Sequence, residues 1–229
     1  MKRYCELSEI SDGKLYEIND LVKVGCDGCE GAAFCCHGMG NSVVLDPFDI
    51  YRLTENQEET WEDLFVDKIE LKVVDGIILP NLKMTGKSES CVYLEENGRC
   101  SIHRYRPGFC RIFPLGRYYE NHDFKYFLQI KECKNTHRMK TKINKWVDTK
   151  NFKEYKSFLI DWHYFLNEIE DMVNEDTDDK VAKIVNLHIL NNFYGKRYER
   201  DFDFYSQFMQ RLEEAKNLFR AMDSRNTME

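Results

Sequence analysis

The chain has 229 residues, 42% hydrophobic and 14% aromatic, a composition that suits a folded body with a sizeable core and excludes a disordered one. Its 33 basic and 40 acidic residues leave a net charge of -7, so the counterion release that drives nucleic-acid binding has no general basis and nucleic acid is not an expected partner. No apolar run approaches the length of a bilayer span and Met1 to Ile10 holds no apolar h-region, so no membrane is expected and the expected location is cytoplasmic.

That location gives the nine cysteines their meaning. In a reducing compartment thiols more often bind metal or do redox work than form structural disulfides, and an odd count does not suit a complete disulfide framework. Cys5 stands apart and reads as a bystander.

Residues 1–24 form a polar lead-in with a turn at Asp12-Gly13 and apolar positions at Leu15, Ile18, Leu21 and Val24, expected to pack beneath the cysteine-rich loop that begins at Cys26. In that loop Cys26, Cys29, Cys35 and Cys36 fall within eleven residues, set among Gly25, Gly28, Gly31, Gly38 and Gly40. A Cys-x-x-Cys pair lets one turn aim two thiolates at an ion, and glycines let amide N–H groups face sulfur. The alternative is a set of buried free thiols packed as small hydrophobes.

Asp46-Pro47 caps and opens a helix to about Leu53, and a second short helix follows Thr60, with Glu62 and Asp63 in its first turn. The period then changes to strand. Ile69, Leu71 and Val73 alternate up to Asp75-Gly76 and Ile77-Ile78-Leu79 resumes, predicting a hairpin. A further hairpin is expected over Cys91–Ile102 around Asn97-Gly98, placing Cys91 and Cys100 together at its open end. The prolines of Arg106 to Pro114 predict a turned, non-helical backbone carrying Cys110. Another hairpin, Leu115–Tyr119 with Phe124–Ile130 around Asn121-His122, delivers Cys133.

Beyond about Thr141 the pattern is helical, over 144–147, 152–172, 179–193 and 201–222. Phe158, Leu159, Trp162, Phe165, Leu166 and Ile169 mark a core-facing stripe. The expected fold is α+β. Small antiparallel hairpins and short helices surround a cysteine-ligated metal site over residues 1–138, and a helical region over 139–229 packs on them.

Eight candidate ligands remain: Cys26, Cys29, Cys35, Cys36, Cys91, Cys100, Cys110 and Cys133. Four thiolates satisfy one zinc ion or one iron–sulfur cluster, so eight serve two sites, or one site with supporting or reactive thiols. Adjacent side chains on extended backbone face opposite ways, so Cys35 and Cys36 suit different metals or different irons of one cluster. Cys91, Cys100 and Cys110 are too widely spaced for a zinc ribbon, and a shared site has to be assembled by tertiary folding. His37 and His103 are candidate substitute ligands, with a plain hydrogen-bonding role as the alternative. Of the arginines nearby, Arg99 and Arg104 read equally well as surface ion pairs. Arg106 and Arg111, flanking Cys110, are expected to offset thiolate charge or hold a carboxylate or phosphate of a bound cofactor.

These residues resemble a known family. Cys26-x-x-Cys29 with the Cys35-Cys36 pair, Cys91-Val92-Tyr93-Leu94, Cys100-Ser101-Ile102, Arg106-Pro107 and Cys110-Arg111-Ile112-Phe113-Pro114 are similar to the cysteine-cluster proteins of the YkgJ type, described as zinc- or iron-chelating and including flagellin lysine N-methylases. The resemblance spans about residues 20–135. It implies a bacterial, cytoplasmic protein binding zinc or iron, with iron as a 4Fe-4S cluster. For the methylase members it implies methyl transfer from S-adenosylmethionine to lysines of a protein substrate such as flagellin. The chain departs from known methyl-donor enzymes in two respects. It has no Gly-rich strand-to-helix motif, and it lacks the Cys-x-x-x-Cys-x-x-Cys spacing of radical enzymes. A structural or interaction module and a redox or metal-handling protein are the other function classes compatible with the residues.

Overall fold

A computed structural model describes residues 6–25, 34–133, 138–175 and 180–226. The chain order is α1 (Leu7–Ile10), β1 (Leu21–Gly25), a 3-10 turn (Phe34–Cys36), α2 (Pro47–Gln57), α3 (Trp61–Asp67), β2 (Ile69–Val74) and β3 (Ile77–Leu82). Then come β4 (Met84–Thr85), β5 (Ser90–Cys91), α4 (Gly108–Ile112), β6 (Leu115–Glu120), β7 (Asp123–Leu128) and β8 (Met139–Lys142). The remainder is α5 (Ile143–Val147), α6 (Phe152–Glu175), α7 (Lys180–Ile189), a π-helical segment (Leu190–Gly195) and α8 (Phe204–Asn226).

The two long hairpins follow from their turns. Asp75 and Gly76 take φ of 50° and 80°, the left-handed pair that a two-residue turn requires, and β2 and β3 pair antiparallel without a slip. Asn121 and His122, at 52° and 53°, do the same for β6 and β7. β1 pairs with β8 and β4 with β5, so among the described residues the sheets are four separate two-stranded ribbons.

Reciprocal caps start α2 and α3. Asp46 accepts the Asp49 N–H at 2.8 Å while Asp49 accepts the Asp46 N–H at 3.2 Å, with Pro47 at the first helical position. Thr60 and Asp63 repeat the arrangement. α2 runs on to Gln57, past the expected end near Leu53, and stops where Glu58 turns left-handed.

Three local expectations are corrected. The Cys91–Ile102 hairpin shrinks to one bridge, Leu94 with Cys100, because the intervening run is too short to build a ladder around Gly98. The Arg106–Pro114 turn holds one helical turn, α4. Pro107 sits at its N-cap, where a missing N–H costs no hydrogen bond, and Pro114 falls beyond its end. In the lead-in, Leu15 and Leu21 are exposed while Val22 and Val24 are buried, since the segment ends in a strand whose side chains alternate.

The stripe on α6 is the core of the helical region. Phe158, Leu159, Trp162, Phe165 and Ile169 are buried, with Phe158 meeting Phe208 of α8 at 4.6 Å and Trp162 meeting Phe193 at 5.0 Å between ring centroids. One hydrophobic cluster runs from these rings to Val43, Leu45 and Leu82. The Tyr194 hydroxyl donates to the Leu45 carbonyl at 3.0 Å and the Ile78 N–H donates to Asn186 at 2.6 Å. The α+β class holds, with a C-terminal helical region lying against the hairpins. Among the described residues no helix is long and apolar enough to cross a membrane.

Candidate metal centre

Several short elements converge to present thiols. The 3-10 turn carries Cys35 and Cys36 and is docked by the next residue: His37 bridges Ser90, with 3.0 Å between its Nδ1 and the Ser90 hydroxyl, and the Gly38 N–H donates to Glu89 at 3.0 Å. Ser90 begins β5, so this clasp sets the Cys35-Cys36 turn beside Cys91. The chain then folds back at Gly98 (φ 76°) and returns Cys100 to bridge Leu94. Arg106-Pro107 leads into α4, which brings up Cys110. Cys35, Cys36, Cys91, Cys100 and Cys110 all line one cavity of about 430 Å³, with Arg99, His103 and Arg106 on its walls.

The thiols feel one another there. Cys36 donates a hydrogen bond to Cys35, which brings the Cys35 thiol down to about 7 against the opposing effect of burial, and the Arg106 guanidinium adds to the lowering. The same bond, with burial, pushes Cys36 up. Burial raises Cys91, Cys100 and Cys110, and neighbouring sulfurs add to each rise. Backbone N–H groups oppose it at two of them: that of Tyr93 faces Cys91 and that of Ile102 faces Cys100. An N–H two residues on, aimed at sulfur, stabilises a thiolate.

This donor set fits a thiophilic metal, whose positive charge reverses the protonation that burial favours. Among the described residues no three His, Cys, Asp or Glu side chains stand close enough together to hold a single ion. Five cysteines line the same cavity. Cys26 and Cys29 lie outside the described residues.

The cavity's floor is fixed from below. Asp49, buried at the start of α2, accepts the Gly108 N–H at 2.7 Å and so ties α4 to α2. Burial raises both Asp46 and Asp49; backbone N–H groups oppose the rise at each, as does Arg117, and Arg111 adds to the opposition at Asp49. Gly108 is required by close approach, since a Cβ there would lie 2.7 Å from the Tyr155 hydroxyl. Arg111 is part of this scaffold. Its guanidinium donates to Thr149 at 3.0 Å and to the Arg106 carbonyl at 3.2 Å, and it does not line the cavity. Arg106 does line it, with Nη1 2.8 Å from His103 Nε2. Cys133, half-buried beyond β7, is not among the lining residues, and neither is His37.

With these positions known, the comparison with protein families becomes specific. The model of the CxxCxxCC family, described as a "putative zinc- or iron-chelating domain", matches residues 25–145, more than half the chain and all eight grouped cysteines. The chain belongs to the CxxCxxCC family. No curated protein and no solved structure matches it.

Membership supports zinc or iron chelation by this chain. The structure also brings in residues that sequence reasoning passed over. Glu95 lines the cavity unannounced, since it belongs to no cysteine motif, and Ser101 lines it beside Cys100. Asp46 read only as a helix cap, and the duty of Asp49 in holding α4 carried no sequence signal.

Proposed function

We propose that this CxxCxxCC chain binds an iron–sulfur cluster of the 4Fe-4S type in the thiol cavity, drawing its ligands from Cys35, Cys36, Cys91, Cys100 and Cys110 together with Cys26, Cys29 and Cys133. The supporting observation is that five thiols ring about 430 Å³ with no three at single-ion spacing among the described residues. A zinc knot draws four donors to within about 2.3 Å of one point, whereas a cluster spreads its thiolates around a larger body.

We further propose that the site acts on a protein lysine, with S-adenosylmethionine as methyl donor and a flagellin-like protein as substrate. When bound, the cluster supplies a Lewis-acidic iron able to take the amino-acid end of the donor. The chain's own residues provide the rest. Arg106, half-buried on the wall, offers its guanidinium to a carboxylate. Val43, Leu82, Met84 and Ile102 make the inner wall apolar, and an amine entering it loses its proton more easily. The uncharged lysine nitrogen then forms a bond to the methyl carbon as the carbon–sulfur bond breaks. The sulfonium leaves as a neutral thioether, and the product ammonium sheds its proton to water.

A redox or metal-handling role is the second reading. It is favoured by Cys35, whose thiol at about 7 beside Cys36 is poised for exchange. Purification without oxygen tests the cluster. Iron with acid-labile sulfide and a broad visible absorption is the expected result, and colourless protein with stoichiometric zinc overturns it. Titration of the iron-loaded protein with S-adenosylmethionine, followed by electron paramagnetic resonance, tests the reaction. A changed spectrum is expected, and an unchanged spectrum with no bound donor turns the assignment to the second reading.

A further inference from the structure

In a chain of net charge -7, the stretch from Lys131 to Lys156 runs the other way, with nine lysines and arginines against three carboxylates. Folding gathers part of that charge on one surface. β8 pairs antiparallel with β1, which sets Lys140 opposite Lys23 and Lys142 opposite Leu21. Directly opposed residues point to the same side of a ribbon, and alternate residues along a strand share that side. Leu21, Lys23, Lys140 and Lys142 therefore form one face, all four of them exposed, while Val22 and Val24 turn into the core.

These lysines lack what the lysines on the two long hairpins have. There Lys72 pairs with Glu70 at 3.3 Å, Lys125 with Glu17 at 3.4 Å and Lys156 with Asp123 at 2.6 Å. Among the described residues no carboxylate pairs with Lys23, Lys140 or Lys142. Asp20, just ahead of the ribbon, accepts the Glu17 N–H at 2.8 Å within its own turn. Like charges directly across a ribbon repel, so the Lys23–Lys140 pair costs stability. One lysine is enough to blunt a short exposed strand against aggregation, and three on one face, two of them opposed, exceed that need.

We propose that this face of the β1–β8 ribbon binds an acidic segment of a partner protein. A carboxylate seated between Lys23 and Lys140 is held from both sides and relieves their repulsion. Leu21 is 56% exposed on the same face and Met139, at the ribbon's end, is 59% exposed, so an apolar side chain of the segment has surface to cover. The face carries no aromatic ring. Stacking on rings is what a single-stranded nucleic acid adds to charge, so a polypeptide suits this surface better. None of the four face residues lines the thiol cavity. In sequence, though, β1 leads from Gly25 straight to Cys26 and β8 follows Cys133, so the partner is held next to chain that carries candidate ligands.

The test uses the full chain in its metal-loaded form. The probes are acetyl-Glu-Glu-Leu-Glu-Glu-amide, its counterpart acetyl-Lys-Lys-Leu-Lys-Lys-amide, and pentathymidylate, whose charge equals that of the acidic peptide. Saturable, salt-sensitive binding of the acidic peptide is expected, with NMR amide shifts moving at Leu21, Lys23, Lys140 and Lys142 and staying put in β6 and β7. Lys140→Glu should weaken the acidic peptide about tenfold while raising the thermal midpoint, because Lys23 then faces an opposite charge. Reversing both, Lys23→Glu with Lys140→Glu, should pass binding to the lysine peptide, a gain that unfolding cannot produce. Undiminished binding of the acidic peptide by these variants, or shifts confined to other elements, overturns the proposal. So does pentathymidylate binding as tightly as the acidic peptide, which would make the face a nucleic-acid surface.

Discussion

Around Phe158 in α6 the rings of Phe48, Tyr155, Phe204, Tyr205 and Phe208 all lie within 6.3 Å, and most of that side chain's surroundings are carbon. Around Cys35 the neighbours are Cys36, Cys91, Cys100, Cys110 and Arg106. The first environment stabilises itself, since each fully buried apolar side chain contributes roughly 1.5–3 kcal/mol. The second does not. Its thiols are pushed up by burial, their backbone is a set of two-residue strands and single turns, and only an added cation turns their proximity into attraction. The difference teaches that one continuous hydrophobic cluster joins a core held by its own rings to a cavity whose buried thiols gain nothing from their own proximity.

Removing the metal is the strongest way to separate the two. Chelation under reducing conditions should abolish amide protection over residues 84–112 while α6 and α8 keep theirs, as read by hydrogen exchange. Loss of protection throughout would show that the halves are one cooperative unit. Phe158→Ala attacks the other side. It should cost about 3–5 kcal/mol in denaturant unfolding, with metal per folded chain unchanged.

Asp49→Ala addresses the joint between them. It orphans the buried Gly108 N–H, at about 1–3 kcal/mol, and the half-buried Asp46 N–H at less, and should lower metal affinity because α4 carries Cys110. Thr60→Ala removes only a cap, so about 1 kcal/mol of stability should go with metal affinity intact.

The smallest effect is a pH slope. Burial lowers His188, whose ring meets Phe219 at 5.3 Å between centroids. The unfolded chain therefore takes up a proton that the folded chain resists. Stability should be full above the ordinary imidazole value of about 6.5 and decline as pH falls below it. His188→Gln should flatten that slope in unfolding curves.

The fold was legible wherever local chemistry decides it. Asp75-Gly76 and Asn121-His122 fixed two hairpins, and the three-and-four spacing of Phe158, Trp162, Phe165 and Ile169 fixed the face of α6. It was less legible where tertiary pairing outweighs pattern. Leu21 could not be placed outside until β1 was seen to pair with β8, and Pro107 announced a turn but not the helix it caps. In the candidate site, Cys35, Cys36, Cys91, Cys100, Cys110 and Arg106 could be named from type and spacing. The direction of Arg111 toward Thr149, and the scaffold duty of Asp49, depend on contacts from 38 and 59 residues away, which no motif encodes.

The central claim is that the Cys35-Cys36 turn and the α4 cysteine face one metal site. Metal per chain, measured on Cys35→Ser and on Cys110→Ser beside the unaltered protein, tests it most directly. Loss of the same metal from both variants is the predicted result. Full metal content in either one would show that the two cysteine groups serve separate sites and would contradict the shared cavity.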